Sequence, residues 1–329
     1  MVREGFVIGV DVGGTKVAAG LVDREGAIRS QTRGSMISNR GPVAGLEAVK
    51  AVIDQVSFSS NAHDSIRAIG ICCPGPLDPI TGVVINPPNL PCWRNFHLAS
   101  EVSQIYGVPV KVDNDANAAA LAETLWGAGR GYHNVFYATV GTGIGTGIVF
   151  DGRIYHGRTG AAAEGGHMTI DYRGPRCGCG KPGCIEALAS GPAIARRART
   201  ALSTQPGLHS SLLDLAGGNI GEVTSQMVGQ AQAAGDPLAT SILRETVDFL
   251  SVWLGNIVDL LEPDVIIMGG GVASMLRPFF VEIRNQLPNH CINPRCQEIP
   301  MVHAFYGEDA GIAGGAALSS ARLAASLRM

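Results

Sequence analysis

Short β-rich apolar runs alternate along the chain with longer segments of helical periodicity. The apolar runs predict strands over residues 6–10, 17–22, 66–72, 108–112, 135–140, 144–150, 265–268 and 300–304. Apolar residues three or four positions apart predict helices over residues 41–56, 98–106, 118–126, 192–202, 225–234, 237–261 and 309–327. Strands that alternate with helices indicate an α/β protein with a parallel or mixed sheet, in which function concentrates at the strand ends.

Two strand–turn–strand segments share one design. Residues 6–22 place Gly13, Gly14, Thr15 and Lys16 between two apolar runs, and residues 135–150 place Gly141, Thr142 and Gly143 between two more. The backbone N–H groups, hydroxyl and lysine of such turns suit a phosphate. A plain β-turn explains either turn alone equally well. Their repetition indicates a duplicated fold with two phosphate-binding turns opposed across a cleft.

Polar or glycine residues follow other predicted strands. Asp11 ends the first strand, where it could hold Mg²⁺ directly or through water. Gly269, Gly270 and Gly271 let a nucleoside lie against bare backbone, or simply make a tight strand-to-helix turn.

The sequence Asp113-Asn114-Asp115 closes the strand 108–112. Asp115 is a candidate general base toward a hydroxyl, and Asn114 would orient the same substrate. The alternative is that Asp115 or Asn114 only caps the alanine-rich helix that follows.

The stretch from Glu164 to Gly191 has the donor spacing of a metal site. Three thiolates and an imidazole lie close together in the sequence, those of Cys177, Cys179, Cys184 and His167. The intervening glycines allow tight backbone turns that would bring these groups to one ion. Soft sulfur and nitrogen ligands favour a closed, structural zinc site. The alternatives are ordinary free cysteines or two disulfides. Bound zinc would hold Glu164 and Glu186 on a rigid frame where they could bind a polyol; otherwise both are solvated.

Composition limits the size, partners and compartment. The 329 residues, 46% hydrophobic and 16% charged, suffice for two domains with large cores. A net charge of −3 without a basic block gives no indication of nucleic acid or anionic membrane. The N-terminus has no signal-peptide pattern, and no apolar run approaches the ~18 residues of a membrane span. With the five remaining cysteines expected to be reduced thiols, we predict a cytoplasmic protein.

Taken together, these motifs resemble those of the ROK family of bacterial sugar kinases, repressors and related proteins. The resemblance covers nearly the whole chain: DVGGTK at 11–16, PGP at 74–76, NLPCW at 89–93, DNDAN at 113–117, GTGIGTG at 141–147, EGGH at 164–167, CGCGKPGC at 177–184 and GGGV at 269–272. It implies a two-lobed actin/hexokinase-like (ribonuclease H-like) α/β fold with a mixed sheet in each lobe. Residues 1–114 and 308–329 would form the small lobe, and residues 115–307 the large lobe with the zinc motif.

The resemblance also implies residue roles. Asp115 would be the catalytic base. The sugar would be bound by Gly75, Asn114, Asp115, Glu164, His167 and Glu186. The ATP phosphates would be bound by Asp11, Gly13, Gly14, Thr15, Lys16, Gly141, Thr142 and Gly143, with Gly270 and Gly271 at the nucleoside. Zinc would be bound by His167, Cys177, Cys179 and Cys184, and Mg²⁺ would accompany ATP.

The predicted function is ATP-dependent phosphorylation of a hexose, with glucose 6-phosphate as the expected product. Fructose, N-acetylglucosamine and N-acetylmannosamine are alternative substrates, and polyphosphate is an alternative donor. A non-catalytic sugar sensor is the alternative from another class. Repressor members carry a helix-turn-helix before the first glycine motif, so the early position of Asp11 predicts no nucleic-acid partner. The resemblance implies a homodimer or homotetramer.

Overall fold

The computed structural model describes residues 5–59, 66–205, 207 and 209–326, which form twelve strands and eleven α-helices. The strands are β1 Phe6–Val12, β2 Lys16–Val22, β3 Ile28–Ser35, β4 Ile66–Cys73, β5 Leu77–Asp78, β6 Val83–Val84, β7 Val110–Asn114, β8 Asn134–Val140, β9 Ile144–Phe150, β10 Arg153–Ile154, β11 Val265–Gly269 and β12 Met301–His303. The helices are α1 Pro42–Ser59, α2 Leu98–Tyr106, α3 Asp115–Leu125, α4 Ile185–Ala189, α5 Gly191–Thr204, α6 Ser211–Leu215, α7 Ser225–Ala233, α8 Pro237–Leu261, α9 Gly271–Leu276, α10 Phe280–Gln286 and α11 Ala310–Ser326.

The elements predicted from the apolar pattern are all present, with ends that differ by a few residues. The largest shifts are of three residues: α3 starts at Asp115 rather than at Ala118, and α1 ends at Ser59 rather than at residue 56. Residue 327, the predicted end of the last helix, lies outside the described residues. The edge strand β3 was not predicted, because polar residues dominate its sequence IRSQTRGS. No helix within the described ranges has the length and apolar character needed to cross a membrane.

Both five-stranded sheets have the same connectivity. The first has the order β3-β2-β1-β4-β7, and the second has the order β10-β9-β8-β11-β12. In the first sheet β1 pairs antiparallel with β2 and parallel with β4, which in turn pairs parallel with β7. In the second, β11 lies parallel to both β8 and β12. The predicted α/β fold with mixed sheets is therefore confirmed.

The chain forms two compact units. The first contains Met1–His133, Gly147–Ala163 and Phe305–Met329, and the second contains Asn134–Thr146 and Glu164–Ala304. These bounds differ from those predicted for the lobes, since α3 and residues 147–163 lie in the first unit. For α3 the cause is its packing against α11, where a Cβ on Gly314 would lie 2.7 Å from the Ala118 carbonyl carbon.

Within the first unit, α11 approaches the strands β1 and β4 so closely that only glycine fits at the crossing. A Cβ added to Gly9 would overlap the Ile312 carbonyl oxygen, and one added to Gly70 would overlap that of Gly315. The clash falls on the backbone of the helix, which cannot give way as a flexible side chain can. The position of α11 over the sheet is therefore fixed by these glycines.

Replacing Gly70 with alanine should lower the free energy of unfolding by about 1–3 kcal/mol, the usual cost of overpacking a core. Gly34→Ala is the matched control, because Gly34 is also a strand glycine but its nearest neighbour would be the Val52 Cγ1 atom, 3.3 Å away. Chemical denaturation of both variants measures the difference. Equal losses of stability in the two variants would contradict the proposed backbone clash.

Candidate active site

Two carboxyl groups of the first unit, those of Asp11 and Asp115, lie at the carboxyl ends of the parallel strands β1 and β7. Asp11 is half-buried, and Asp115 is exposed although the surrounding protein partly removes its carboxyl group from water. Strand register places Asp11 beside Cys72, and Cys72 beside Asp113. Burial raises the pKa of Asp115. Burial also raises the pKa of Asp11, and the negative charge of Asp115 raises it further. Two desolvated carboxylates that repel each other favour the binding of a proton or a cation, which is typical of functional sites.

The surroundings of Asp11 leave little room for its side chain to move. The Cys72 Sγ atom lies 3.6 Å from Asp11 Oδ1 and donates to the Gly311 carbonyl oxygen at 3.2 Å. A Cβ on Gly311 would overlap the Asp11 carboxyl group, so this position of α11 requires glycine. Asp11 is thus held between a strand and a helix.

The turn between β7 and α3 holds the remaining predicted groups of this unit. Asn114 is the N-cap of α3, since its Oδ1 accepts the N–H groups of Ala116 at 2.9 Å and Asn117 at 3.4 Å. This cap explains why α3 begins earlier than predicted. Asp115 is the first helical residue, and its Oδ1 also accepts the Ala116 N–H, at 2.8 Å. A Cβ on Gly75 would lie 3.9 Å from Asn114 Nδ2, so Gly75, Asn114 and Asp115 lie together.

The predicted phosphate turn of the first unit is a tight connection between β1 and β2. The Gly13 N–H donates to the Lys16 carbonyl oxygen at 2.8 Å, and the Thr15 carbonyl oxygen accepts the Met36 N–H at 3.0 Å. Thr15 and Lys16 are exposed. A Cβ on Gly14 would lie 2.7 Å from the Asn89 carbonyl oxygen, so the turn packs against the loop that contains Asn89.

In the second unit the four predicted metal ligands form one cluster. The donor atoms of His167, Cys177, Cys179 and Cys184 all lie within 4.8 Å of one another. Cys177 Sγ is 3.6 Å from His167 Nδ1, and Cys179 Sγ is 3.6 Å from Cys184 Sγ. A tetrahedral zinc site has edges of about 3.8 Å between sulfurs and about 3.5 Å between sulfur and nitrogen, given the usual bond lengths. The donor set and its spacing therefore fit zinc.

Glu186 lies between this cluster and the glycine turn that joins β8 to β9. Its Oε2 accepts the Ile144 N–H at 2.9 Å, and its Oε1 lies 3.6 Å from Cys177 Sγ and 3.9 Å from His167 Nδ1. A Cβ on Gly143 would lie 2.7 Å from Oε2. Glu186 is thus a largely buried, hydrogen-bonded residue rather than a solvated one, whereas Glu164 is exposed.

The Glu164–His167 segment packs tightly on the start of β9. The Gly165 N–H donates to Thr146 Oγ1 at 2.8 Å, and the Gly165 carbonyl oxygen accepts the Trp253 Nε1–H at 3.1 Å. A Cβ on Gly166 would overlap the Ile144 carbonyl oxygen. Residues Gly165–His167 form one turn of 3-10 helix, which presents His167 Nδ1 to the metal cluster.

A pocket of about 940 Å³ opens beside the same glycine turn in the second unit. This volume lies near the top of the range for small-molecule sites, about 300–1,000 Å³. Of the residues predicted to bind ATP, Gly141, Thr142 and Gly271 line it. Gly270 adopts φ 88°, and a Cβ there would lie 2.5 Å from the Val140 carbonyl oxygen. This position therefore requires glycine.

Residues outside any motif complete the pocket wall. They come from α5, from α7 and its N-cap, and from α9, and include Arg199, Thr224, Gln226 and Met275. The Arg199 side chain donates twice to the Val223 carbonyl oxygen, at 3.0 and 2.8 Å, which fixes its direction. No sequence signal identified these residues, because only the packing of three separate helices brings them together.

Comparison with known proteins gives consistent matches. The model of a family described as the ROK family matches residues 7–322. The chain is 34% identical over 318 residues to a glucokinase of Thermotoga maritima, covering 96% of this chain and 98% of that protein. It is 35% identical, with a TM-score of 0.78, to a ROK family glucokinase from Streptomyces griseus solved with glucose and AMPPNP, covering 95% of this chain and 98% of that one. A xylose repressor of Bacillus spizizenii is 30% identical over 270 residues, covering 82% of this chain and 65% of the repressor.

Replacing Asp115 with asparagine should stabilise the protein at neutral pH. An unfolded aspartate loses its proton near about pH 4, but burial raises the pKa of Asp115 in the folded chain. Ionisation of Asp115 therefore lowers stability as pH rises from the unfolded pKa to the folded one, and the deficit persists above it. Because Asp115 is exposed, solvent screening limits the effect, and we expect Asp115→Asn to gain about 0.5 kcal/mol at pH 7.

The gain should disappear as pH falls to about 4, where the unfolded aspartate is itself half protonated. Asp78→Asn is the control of opposite sign, since hydrogen bonds from Thr81 and from the Ile80 N–H lower the pKa of Asp78. Neutralising Asp78 should lower stability at pH 7. Thermal melts at both pH values measure these effects, and a pH-independent effect of Asp115→Asn would count against the burial argument.

Proposed function

The chain belongs to the ROK family and is a sugar kinase, and we propose that it transfers the γ-phosphoryl group of ATP to the 6-hydroxyl of glucose. The glucokinases among its relatives support glucose as the substrate, and the structure solved with glucose and AMPPNP supports ATP as the donor. The observation that carries the proposed chemistry is the solvent-accessible Asp115 carboxylate at the start of α3, beside Asn114, with a pKa that desolvation raises.

In this mechanism Asp115 is the general base. Its carboxylate accepts the proton of the 6-hydroxyl while the hydroxyl oxygen forms a bond to the γ-phosphorus. The bond from the γ-phosphorus to the bridging oxygen breaks, and ADP leaves. A carboxylate whose pKa is raised by burial is a stronger base than an ordinary aspartate, which suits proton transfer near neutral pH.

We assign the remaining substrate contacts residue by residue. In the first unit, Gly75 and Asn114 bind the sugar together with Asp115. In the second unit, Glu164, His167 and Glu186 bind sugar hydroxyls. Hydroxyl-rich ligands require several fixed polar groups, and the hydrogen bonds of Asn114 and Glu186 to backbone N–H groups supply that rigidity.

ATP is assigned to the glycine turns and the pocket. Asp11 through Lys16 and Gly141 through Gly143 bind phosphates, and Gly270 and Gly271 lie at the nucleoside. The size of the pocket lined by Gly141 and Gly271 supports this assignment. Mg²⁺ near Asp11 would offset the phosphate charge. We also assign the enzyme to the cytoplasm, as a homodimer or homotetramer, with zinc as its structural ion.

A coupled assay of ADP release tests the proposal across glucose, fructose, N-acetylglucosamine and N-acetylmannosamine, with ATP and with polyphosphate. We expect glucose with ATP to give the highest kcat/KM. Asp115→Asn should lose about 10²–10⁴-fold in kcat, the typical effect of removing a general base, and should still bind glucose in calorimetry. Sugar binding by the wild-type protein without turnover of any sugar would instead favour a non-catalytic sensor.

Cys179→Ser should remove the zinc and weaken sugar binding. Loss of a ligand releases His167 and the neighbouring Glu186, so the KM for glucose should rise by about 10–100-fold, as when metal-supporting residues are removed. Zinc content is measured by elemental analysis and KM by the coupled assay. Cys291→Ser is the matched control, because Cys291 lies outside the cluster. A zinc-free Cys179→Ser protein with an unchanged KM would contradict this role.

A further inference from the structure

A histidine outside all the motifs contacts the strand end that precedes Asp115. His156 Nε2 lies 2.6 Å from Asp113 Oδ2, and both residues belong to the first unit. The Asp113 side chain is only 6% exposed, whereas 33% of the His156 side chain is exposed. Because a carboxylate accepts hydrogen bonds, His156 donates through Nε2.

The other oxygen of Asp113 binds the turn that holds the proposed base. Asp113 Oδ1 accepts the Asn114 N–H at 2.7 Å and the Asn117 Nδ2–H at 3.2 Å. One carboxylate therefore fixes the backbone of the turn with one oxygen and is held by His156 through the other. Loss of His156 would leave Asp113 Oδ2 without this donor in a buried place, which favours a different side-chain rotamer.

His156 is itself well anchored. The preceding Tyr155 N–H donates to the Ile148 carbonyl oxygen at 2.8 Å, and the Ala162 N–H donates to the His156 carbonyl oxygen at 3.2 Å. Gly157 follows with φ 65°, a conformation that favours glycine and turns the chain back toward Ala162. The imidazole thus comes from a short closed loop rather than from a free segment.

We propose that His156 is a positioning residue for phosphoryl transfer, which acts through Asp113 to hold Asn114 and Asp115 in their reactive orientation. The inference rests on the proposed function, in which Asp115 is the general base. Displacement of a catalytic group by about 1 Å can cost about 10²-fold in rate. A contact that holds the turn of Asn114 and Asp115 in place should therefore raise kcat. His156 does not contact the reacting atoms in this scheme.

A second His–Asp pair in the same unit provides the matched control. His133 Nδ1 lies 2.9 Å from Asp151 Oδ1, but the two side chains are 77% and 79% exposed. Exposed pairs contribute little to stability or orientation. Comparison of the His156 and His133 variants therefore separates the effect of positioning the Asn114–Asp115 turn from the general effect of losing a histidine–aspartate contact.

The experiment measures kcat, the KM for glucose and ATP, and the melting temperature of His156→Ala, His156→Gln and His133→Ala. We expect His156→Ala to lose about 10–100-fold in kcat, as for residues that orient a reactive group, with the KM for ATP little changed. His156→Gln, which keeps an N–H donor, should recover much of that loss. Added imidazole should restore part of the rate of His156→Ala, because the site is partly open to solvent. His133→Ala should match the wild-type protein.

A double-mutant cycle completes the test. Asp113→Asn combined with His156→Ala should lower kcat little more than Asp113→Asn alone, because both substitutions disrupt the same contact between His156 and Asp113. Additive losses, or a His156→Ala variant that melts earlier but turns over normally, would overturn the inference while leaving the kinase assignment intact. A wild-type protein without kinase activity on any sugar would reject the proposed function itself and the positioning role with it.

Discussion

The candidate site of the first unit depends on two carboxyl groups of like charge, Asp11 and Asp115, that the surrounding protein partly removes from water. Taking a carboxylate out of water costs free energy unless a partner compensates, and burial raises the pKa of both Asp11 and Asp115. Two features reduce this cost. Asp115 occupies the first turn of α3, where the N–H groups of a helix favour negative charge. Cys72 and the more distant positive charge of Arg33 lower the pKa of Asp11 only in part. The remaining free-energy cost of the two negative charges can be reduced by a proton, a cation or a substrate hydroxyl.

The packing of α11 on the first sheet determines where the Asp11 carboxyl group lies. The same glycine contacts that bring α11 onto β1 and β4 also bring Gly311 against the Asp11 carboxyl group and its carbonyl oxygen within reach of Cys72. Protein interiors are packed too densely for such a helix to shift without moving its neighbours. Core packing and site geometry are therefore one constraint in this unit, since a change under α11 changes the space around Asp11.

The sequence predicted what depends on local pattern and missed what depends on tertiary contact. Apolar runs identified β1, β4 and β11, and donor spacing identified the cluster of cysteines and histidine around Cys177, because short-range periodicity and loop length determine these features. Strand β3 was missed because its stability comes from pairing with β2 rather than from apolar residues of its own. The contact between His156 and Asp113 joins residues 43 positions apart and has no motif. The walls of the pocket were unpredictable for the same reason.

In each unit one carboxylate divides its two oxygens between a local turn and a more distant group. In the first unit Asp113 joins the start of α3 to the loop of His156. In the second, Glu186 joins the Ile144 N–H, at the end of a glycine turn, to the Cys177 side of the metal cluster. A carboxyl group with close contacts at both oxygens transmits a change on one side to the other, because rotation of the group moves both oxygens together. A zinc ion assigned a structural role would thereby affect the turn assigned to phosphate as well as the residues assigned to sugar.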